Sequence, residues 1–378
     1  MDKIEHNLKH KARVYERNVE IKKNIAINKK RKRQIMEEKV LYVGIDVAKA
    51  KFDVSFTIDG KECICYQTIE NKKGGFKKLV KEIKKVQKKY KVKKVHICME
   101  NTGIYHCELC EYLQKHSALI VSVVHPVRTK SFSKSLLLRT KNDKVDSMML
   151  AQYAYTNKPK PTPILPENLK NFRALVRYEN SIVKLINQAQ GQLEGCRDDK
   201  VEKLIEKNIA FLKEQQKDVI EEIKAMIKED EFLTKQIILL KTVDGIGDKS
   251  AWVILAELKF DSIENLSPKA QVCNAGLSPR RFESGSSVRG RSHISKMGKS
   301  LIRKVLFMPA LSCTLRENYF TSFYNRLRKN GKTHRQAQVA VMRKMLYTAC
   351  GILKNQTPFD KDWAKKTQDK YQENLKVS

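Results

Sequence analysis

The region from Leu41 onward constrains the fold most, because its hydrophobic pattern changes period along the chain. Three strand-like runs follow one another, L-Y-V-G-I-D-V, F-D-V-S-F-T-I and C-I-C-Y-Q-T-I, separated by turn residues. Consecutive strands of this kind form a meander without crossover helices. A basic helix pattern then alternates with the strands V-H-I-C-M-E and A-L-I-V-S-V-V-H-P, and a last helix begins near Asp143. This order predicts an α/β domain with a mixed sheet of the ribonuclease-H-like type.

Four carboxylates occupy informative places in this pattern. Asp46 lies in the first predicted strand, Glu100 ends the fourth, and Asp143 and Asp146 share one face of the last helix. An unpaired buried carboxylate costs several kcal/mol, so such groups are usually paired or bound to a cation. The pattern predicts a two-metal magnesium site for phosphodiester chemistry, with manganese as an alternative ion. In a simpler interpretation, Asp143 is an acid at a helix N-terminus, where the helix dipole favours negative charge, and Asp146 is its surface neighbour.

The charge balance favours a polyanionic partner. The chain has 378 residues, with 76 Lys and Arg against 42 Asp and Glu, giving a formal net charge of +34. No apolar run approaches the ~18 residues of a membrane span, and the lysine-rich N-terminus does not resemble a secretory signal. We therefore expect the partner to be nucleic acid rather than a membrane. The protein is expected in the cytoplasm of a prokaryote, where it would act at the nucleoid. The scattered cysteines fit a reducing compartment, and a lone C-x-x-C at Cys107 and Cys110 is more typical of helix packing than of zinc.

Composition divides the chain into four segments. Residues 1–40 are predicted to form a basic helical extension, and residues 41–160 the ribonuclease-H-like domain, which the proline-rich linker P-K-P-T-P-I-L-P ends near residue 160. From about Pro166 to Lys235 there is almost no Gly or Pro and the periodicity is helical, which predicts that residues 161–237 form two long helices, antiparallel around R-D-D-K, acting as a coiled-coil dimerisation arm. Residues 238–378 form a mainly α-helical C-terminal domain.

The C-terminal segment contains two candidate nucleic-acid contacts. V-D-G-I-G predicts a helix-hairpin-helix in which Gly245 and Gly247 let backbone amides approach a phosphate, although a plain tight turn is the alternative. A loop rich in serine and basic residues follows, and its minimum interpretation is phosphate binding. A sharper hypothesis is that one of its serines attacks DNA. The candidate phosphate-binding side chains of this region are Arg280, Arg281, Arg289, Arg291, Lys296 and Arg303.

Two groups of motifs in this order resemble one known family. They are Y-V-G-I-D-V-A-K, E-N-T-G-I-Y, V-V-H-P and K-N-D-K-V-D-S, then V-D-G-I-G, A-G-L-S-P, S-G-S-S-V-R-G and I-S-K-M-G. The chain resembles, over about residues 41 to 355, the DEDD transposases of insertion sequences, which have a RuvC-like domain and include the Piv DNA invertases. The family pattern K-T-D-x-x-D-A departs at Asn142 and Ser147, but both acids remain.

The resemblance implies a role for each matching residue. Asp46, Glu100, Asp143 and Asp146 would bind metal, and Ser284 would be the nucleophile that forms a covalent phosphoserine link with DNA. It also implies donor and target DNA, a non-coding bridge RNA as guide, and a coiled-coil dimer, with a tetramer in the synaptic complex. Acids of one subunit would face the serine of another.

Three alternatives stay open from the residues alone. Ser286 and Ser287 compete with Ser284 as the attacking serine. A metal-dependent Holliday-junction nuclease would use the same four acids without any protein nucleophile. A non-catalytic nucleic-acid-binding protein with an inactive nuclease fold would need neither the four acids nor a nucleophilic serine.

Overall fold

The computed structural model of the protein describes residues 39–101, 103–137, 142–258, 262–280, 283–284, 288–289 and 293–360. The predicted basic extension, 1–40, lies outside these ranges except for its last two residues. The chain divides into two compact units, the first ending at Ile164 and the second beginning at Leu165. Within the described ranges, each helix lacks either the length or the apolar character that crossing a bilayer requires.

A five-stranded mixed sheet forms the centre of the first unit. Its strands are β1 (Val40–Val47), β2 (Lys51–Thr57), β3 (Cys65–Glu70), β4 (Lys94–Glu100) and β5 (Leu119–Val124), in the order β3-β2-β1-β4-β5. The meander β1-β2-β3 is antiparallel, whereas β4 and β5 run parallel to β1. The predicted α/β class and mixed sheet are confirmed, and this topology is compatible with a ribonuclease-H-like domain.

Helices cover both faces of this sheet. Successive side chains of β1 point to opposite faces, so each face contributes to a different core. The helices are α1 (Lys73–Tyr90), α2 (Cys107–Gln114), α3 (Pro126–Ser135) and α4 (Asp143–Asn157). Leu41, Val43 and Ile45 belong to the core that includes residues of α1 and α2. Tyr42 belongs to the smaller core that includes Met149 of α4. Asp46 therefore lies on the face of β1 that α4 covers.

The second unit is mainly helical. Its helices are α5 (Glu167–Glu194), α6 (Asp199–Glu229), α7 (Glu231–Lys241), α8 (Asp248–Glu257), α9 (Pro268–Asn274), α10 (Ser300–Leu315), α11 (Tyr319–Lys329) and α12 (His334–Asn355). Two short strand pairs lie between α9 and α10. They join β6 (Pro279–Arg280) to β9 (His293–Ile294), and β7 (Glu283–Ser284) to β8 (Val288–Arg289).

Helices α5 and α6 form a long hairpin. The Asp198 side chain caps α6 by accepting hydrogen bonds from the amides of Lys200 and Val201. The open end of the hairpin, where α5 begins and Phe172 lies, belongs to the main core of the second unit. Farther out, Ile182, Ile186 and Leu212 form a separate small core. The two predicted long helices are present, whereas a role as a dimerisation arm stays a prediction.

Candidate active site

The sheet register brings Asp46 and Glu100 to the same edge. Strands β1 and β4 are parallel, and Ile45 pairs with Met99, so Asp46 and Glu100 are the next residues on adjacent strands. Both side chains are partly buried. Two carboxylates separated by 54 positions in the sequence are thus brought together by one parallel strand pair.

Gly44 brings α4 to the same place. A Cβ at Gly44 would lie 2.0 Å from the carbonyl oxygen of Ser147 and 2.2 Å from the amide nitrogen of Ala151, so the helix backbone rests directly on the strand. Asp143 and Asp146 precede this contact by about one helical turn. Their carboxylates therefore approach the end of β1, where Asp46 lies.

The side chains of Asn142 and Ser147, the two departures from the family pattern, both make hydrogen bonds that hold α4 in place. The Asn142 side chain caps α4 by accepting a bond of 2.8 Å from the amide of Val145. The hydroxyls of the buried Ser147 and of Ser55 on β2 lie 2.8 Å apart. Both departures therefore support the start of α4 and its attachment to the sheet.

Electrostatic coupling shows that the acids form one cluster. The pKa of Asp46 is raised from 3.8 to about 6. Burial is the largest cause, followed by the negative charges of Asp146, Asp143, Glu100 and Asp53. Each of these charges disfavours ionisation of Asp46, as expected for carboxylates that share a site. A cation bound here would relieve the repulsion.

The acids are neighbours, but they are not assembled as metal ligands. Across the described ranges, no three acidic, histidine or cysteine side chains are grouped so that they could hold a metal ion. Asp143 accepts a hydrogen bond of 2.7 Å from the Lys51 ammonium, and Glu100 accepts one of 2.5 Å from the buried Thr129 hydroxyl. In charge and donor type, four carboxylates fit Mg²⁺ or Mn²⁺, which prefer oxygen ligands. Tight coordination requires Asp143 to exchange its lysine partner for the cation.

Sequence reasoning missed a fifth acid beside the cluster. Asp53 lies opposite Asp46 in the antiparallel register, and only 3% of it is exposed. Burial raises the pKa of Asp53, but hydrogen bonds from the hydroxyls of Thr68 and Tyr66 and the Lys51 ammonium outweigh it, so the pKa is lowered. The sequence feature that could have indicated Asp53 is the presence of an acid inside the apolar run F-D-V-S-F.

The segment that carries Ser284 is closed at its base by two glycines. Gly276 and Gly298 have φ values of +69° and +122°, and a Cβ on Gly298 would lie 2.0 Å from the carbonyl oxygen of Asn274. The Lys296 amide also donates to the Gly276 carbonyl at 3.1 Å. The motifs A-G-L-S-P and I-S-K-M-G therefore meet in space. Ser284 lies in β7, and its side chain is outside the described part, as are Ser286 and Ser287.

The candidate phosphate-binding residues occupy different settings. Arg280 and Lys296 are exposed, whereas Arg303 is partly buried and donates to the Ala275 carbonyl at 2.7 Å. The structure thus gives Arg303 a role in packing. Arg281, Arg291 and the side chain of Arg289 lie outside the described ranges.

Gly245 and Gly247 differ in what surrounds them. Gly245 has a φ of +84°, and a Cβ there would lie 2.7 Å from the sulfur of Cys313 on α10. Gly247 precedes α8 as its N-terminal cap residue, and a Cβ there would meet open space. Gly245 is therefore explained by packing, and phosphate contact by the V-D-G-I-G turn stays a prediction.

Sequence reasoning also missed a buried ion cluster beside the serine segment. Glu257, at the end of α8, is 2% exposed and accepts hydrogen bonds from Arg177 of α5 at 2.5 and 3.1 Å. Lys299, directly after Gly298, bonds to the same carboxylate. Burial raises the pKa of Glu257, but these two cations outweigh it and lower the pKa. The cluster ties one end of the serine segment to α5 and α8.

The zinc alternative gains no support within the described residues. Cys110 is buried in the core of the first unit, whereas Cys107 is exposed, and no metal-binding group includes them. Helix packing explains the position of Cys110.

Comparison with known proteins gives a consistent assignment. The family model for DEDD transposases of the IS110 type matches residues 43–199, and the one described as "Transposase IS116/IS110/IS902 family" matches residues 238–325. The chain is 31% identical over 322 residues to the pilin gene-inverting proteins of Moraxella bovis and Moraxella lacunata, covering 85% of this chain and 98% of each relative. An IS110 protein of 43.6 kDa from Streptomyces coelicolor is 26% identical over 32% of this chain and 30% of its own length.

The two family matches and the two Moraxella relatives identify a DEDD-type enzyme that acts on DNA, and the mixed sheet is compatible with such a domain. Such domains generally use divalent metal ions. The chain belongs to the IS110 family of transposases, and its activity is that of a DNA transposase or recombinase.

Proposed function

We propose that this enzyme cuts and rejoins DNA strands through a covalent bond to Ser284, with magnesium held by Asp46, Glu100, Asp143 and Asp146. The observation that supports the proposal is the position of the acids: Asp46 and Glu100 follow the last residue pair of two parallel strands, and the first turns of α4, which contain Asp143 and Asp146, rest on Gly44. Such a cluster is costly to the fold unless a cation compensates it.

The acids differ in how readily they can bind the metal. Asp46 and Glu100 hold their positions on adjacent strands, whereas Asp143 is free to bind metal only after Lys51 moves away. Thr129 orients Glu100 through its hydrogen bond. When bound, magnesium supplies neutralisation of charge at the scissile phosphate and at the leaving oxygen, and manganese could substitute for it.

The strand transfer conserves one phosphodiester bond. The Ser284 hydroxyl oxygen attacks phosphorus, a serine–phosphate bond forms, and the bond from phosphorus to the leaving sugar oxygen breaks. The serine proton is lost and the leaving oxygen gains one. A sugar hydroxyl of a second DNA end then attacks the phosphoserine and regenerates the serine. The chemistry of insertion, excision or inversion needs no external energy source, and inversion is the reaction that the names of the Moraxella relatives describe.

We further propose that a bridge RNA selects the DNA target. The net charge of +34 suits contacts to the backbones of two nucleic acids at once. In other guided enzymes with RuvC-like domains, base pairing reads the sequence while the protein holds backbone and shape. RNA that copurifies with the protein expressed with its native flanking DNA, once sequenced, tests this assignment. Recovery of only random cellular RNA contradicts it.

The α5–α6 hairpin is proposed as the dimer contact. On α6, Val201, Leu204 and Phe211 are 47%, 65% and 57% exposed. With Asn208, they occupy the a and d positions of a heptad pattern, 201-204-208-211, and an asparagine at an a position is a known determinant of coiled-coil register. The double variant Leu204→Lys with Phe211→Lys should sediment as a monomer, whereas Lys203→Ala with Lys207→Ala should keep the wild-type state. Unchanged association of the lysine double variant refutes this contact.

The central test is a covalent trap. The protein is mixed with DNA from its own flanking sequences and magnesium, denatured, and examined for a protein–DNA adduct. We expect an adduct with wild type, with Ser286→Ala and with Ser287→Ala, and none with Ser284→Ala. Cleavage that survives Ser284→Ala identifies a nuclease that uses water instead. Absence of cleavage in the wild type, with magnesium or manganese, contradicts the proposed function.

A further inference from the structure

A cavity of about 550 Å³ lies beside the strand pair β6–β9, at the base of the segment that carries Ser284. We propose that this cavity binds one unpaired nucleotide of the DNA strand that Ser284 attacks. The proposal rests on the proposed function, since it takes the occupant to be the reacting strand. The volume falls within the roughly 300–1,000 Å³ of typical small-ligand sites.

The inner surface of the cavity is apolar. Leu277, Ile294, Leu327 and Val339 contribute to it, and they come from four different elements or their connections. Leu277 is 1% exposed and the other three are partly buried, so the surface is fixed by packing. An apolar surface of this kind suits the flat face of an extruded nucleobase, which such pockets hold against aromatic or apolar side chains.

The edge of the cavity is cationic. The basic side chains that line it are His293, Lys296, Lys332, Arg335 and Arg343, and none of the described residues in the lining is acidic. Lys332 and Arg335 flank the N-terminus of α12, whose first turn also lacks an acid. The helix dipole therefore adds positive potential there. An apolar surface with a cationic edge matches a nucleotide, which joins an uncharged ring to a phosphate anion.

The position of the cavity favours the reacting strand. Pro279 lines it, and Ser284 is only five residues farther along the chain, which limits the distance between them to about 18 Å. A nucleotide within a few positions of the attacked phosphate can therefore reach it. A base inside a duplex cannot enter a concave site unless it leaves the stack. Rejoining a strand to a new partner requires bases beside the cut to unpair, which supplies such a nucleotide.

The test compares binding of two DNA hairpins that carry a terminal dye, one with a single unpaired 2-aminopurine and one fully paired. Full-length wild type should bind the unpaired hairpin more tightly by anisotropy, with a changed 2-aminopurine emission. The double variant Arg335→Ala with Arg343→Ala should lose about tenfold in affinity for the unpaired hairpin, the effect of losing one charged hydrogen bond. Ala340→Phe, which fills the cavity and keeps its charge, should abolish the emission change.

The matched control is the double variant Lys329→Ala with Lys354→Ala. Both lysines are exposed and outside the cavity lining, and their removal lowers the charge equally. This control should keep the preference for the unpaired hairpin. The proposal is overturned if wild type binds the two hairpins equally. It is also overturned if neither cavity variant changes the preference for the unpaired hairpin. Tighter binding of the same hairpin made of RNA overturns the assignment to DNA. Because binding is measured without strand cleavage, these outcomes are independent of the covalent trap.

Discussion

Replacing Asp46 with asparagine should make the metal-free protein more stable while removing its response to magnesium. The pKa of Asp46 is about 6 in the folded protein against 3.8 ordinarily, so its ionised form is disfavoured by folding. A shift of about two units corresponds to roughly 3 kcal/mol. Asp46 remains partly exposed, and solvent screening reduces the expected gain to about 1–2 kcal/mol.

The pH dependence of this gain follows from the direction of the shift. With a raised pKa, the favourable contribution of the protonated carboxyl is complete below pH 3.8 and is lost as the pH rises through about 6. Asp46→Asn removes this loss. The difference in unfolding free energy between variant and wild type should therefore be small near pH 4 and largest above pH 7.

Urea unfolding in EDTA at pH 4, 6 and 8, followed by the same measurement with magnesium at pH 8, checks both statements. Magnesium should stabilise the wild type and leave Asp46→Asn unchanged. Asp218→Asn, an exposed change on α6 with the same loss of charge, serves as control and should behave as wild type. If Asp46→Asn is no more stable than wild type at pH 8 in EDTA, or gains equally at every pH, the carboxylates do not repel one another as inferred.

Three further changes test the structure around the site. Gly44→Ala should cost about 3 kcal/mol in urea unfolding and abolish magnesium stabilisation, because the new methyl group displaces the α4 backbone; wild-type values for both would contradict the close packing. Glu257→Ala should lower stability by about 1–2 kcal/mol at pH 7, since it removes the buried carboxylate that pairs with the partly exposed cations of Arg177 and Lys299, and the difference should shrink as the pH falls below 4.5; a constant difference would exclude the ion cluster as its cause. Lys51→Met should tighten Mn²⁺ binding measured by electron paramagnetic resonance, because the lysine competes for Asp143, whereas Lys49→Met should not; weaker binding would instead make Lys51 a support of the site.

The sequence by itself determined the local elements and the chemical character of the site. Periodicity located the five strands described in the first unit, with Asp46 and Glu100 in two of them and Asp143 and Asp146 at the start of the last predicted helix. Helix α3 was not predicted, because its sequence has few apolar residues in a regular spacing and begins with a histidine and a proline. The basic composition indicated a nucleic-acid partner without any knowledge of the fold. These features are readable because strand and helix periods are properties of neighbouring residues.

The tertiary structure alone decided which side chains meet. In the sequence, Gly44 is an ordinary strand glycine, and only the fold shows that the α4 backbone rests on it. Likewise, Asp53 is one polar residue in a strand, and only the strand register shows that it lies opposite Asp46. Glu257 and Lys299 are 42 positions apart, and the cavity beside β6–β9 is lined from segments across the C-terminal region. Such contacts depend on how whole elements pack, and the packing is a collective result of many residues that no local pattern contains.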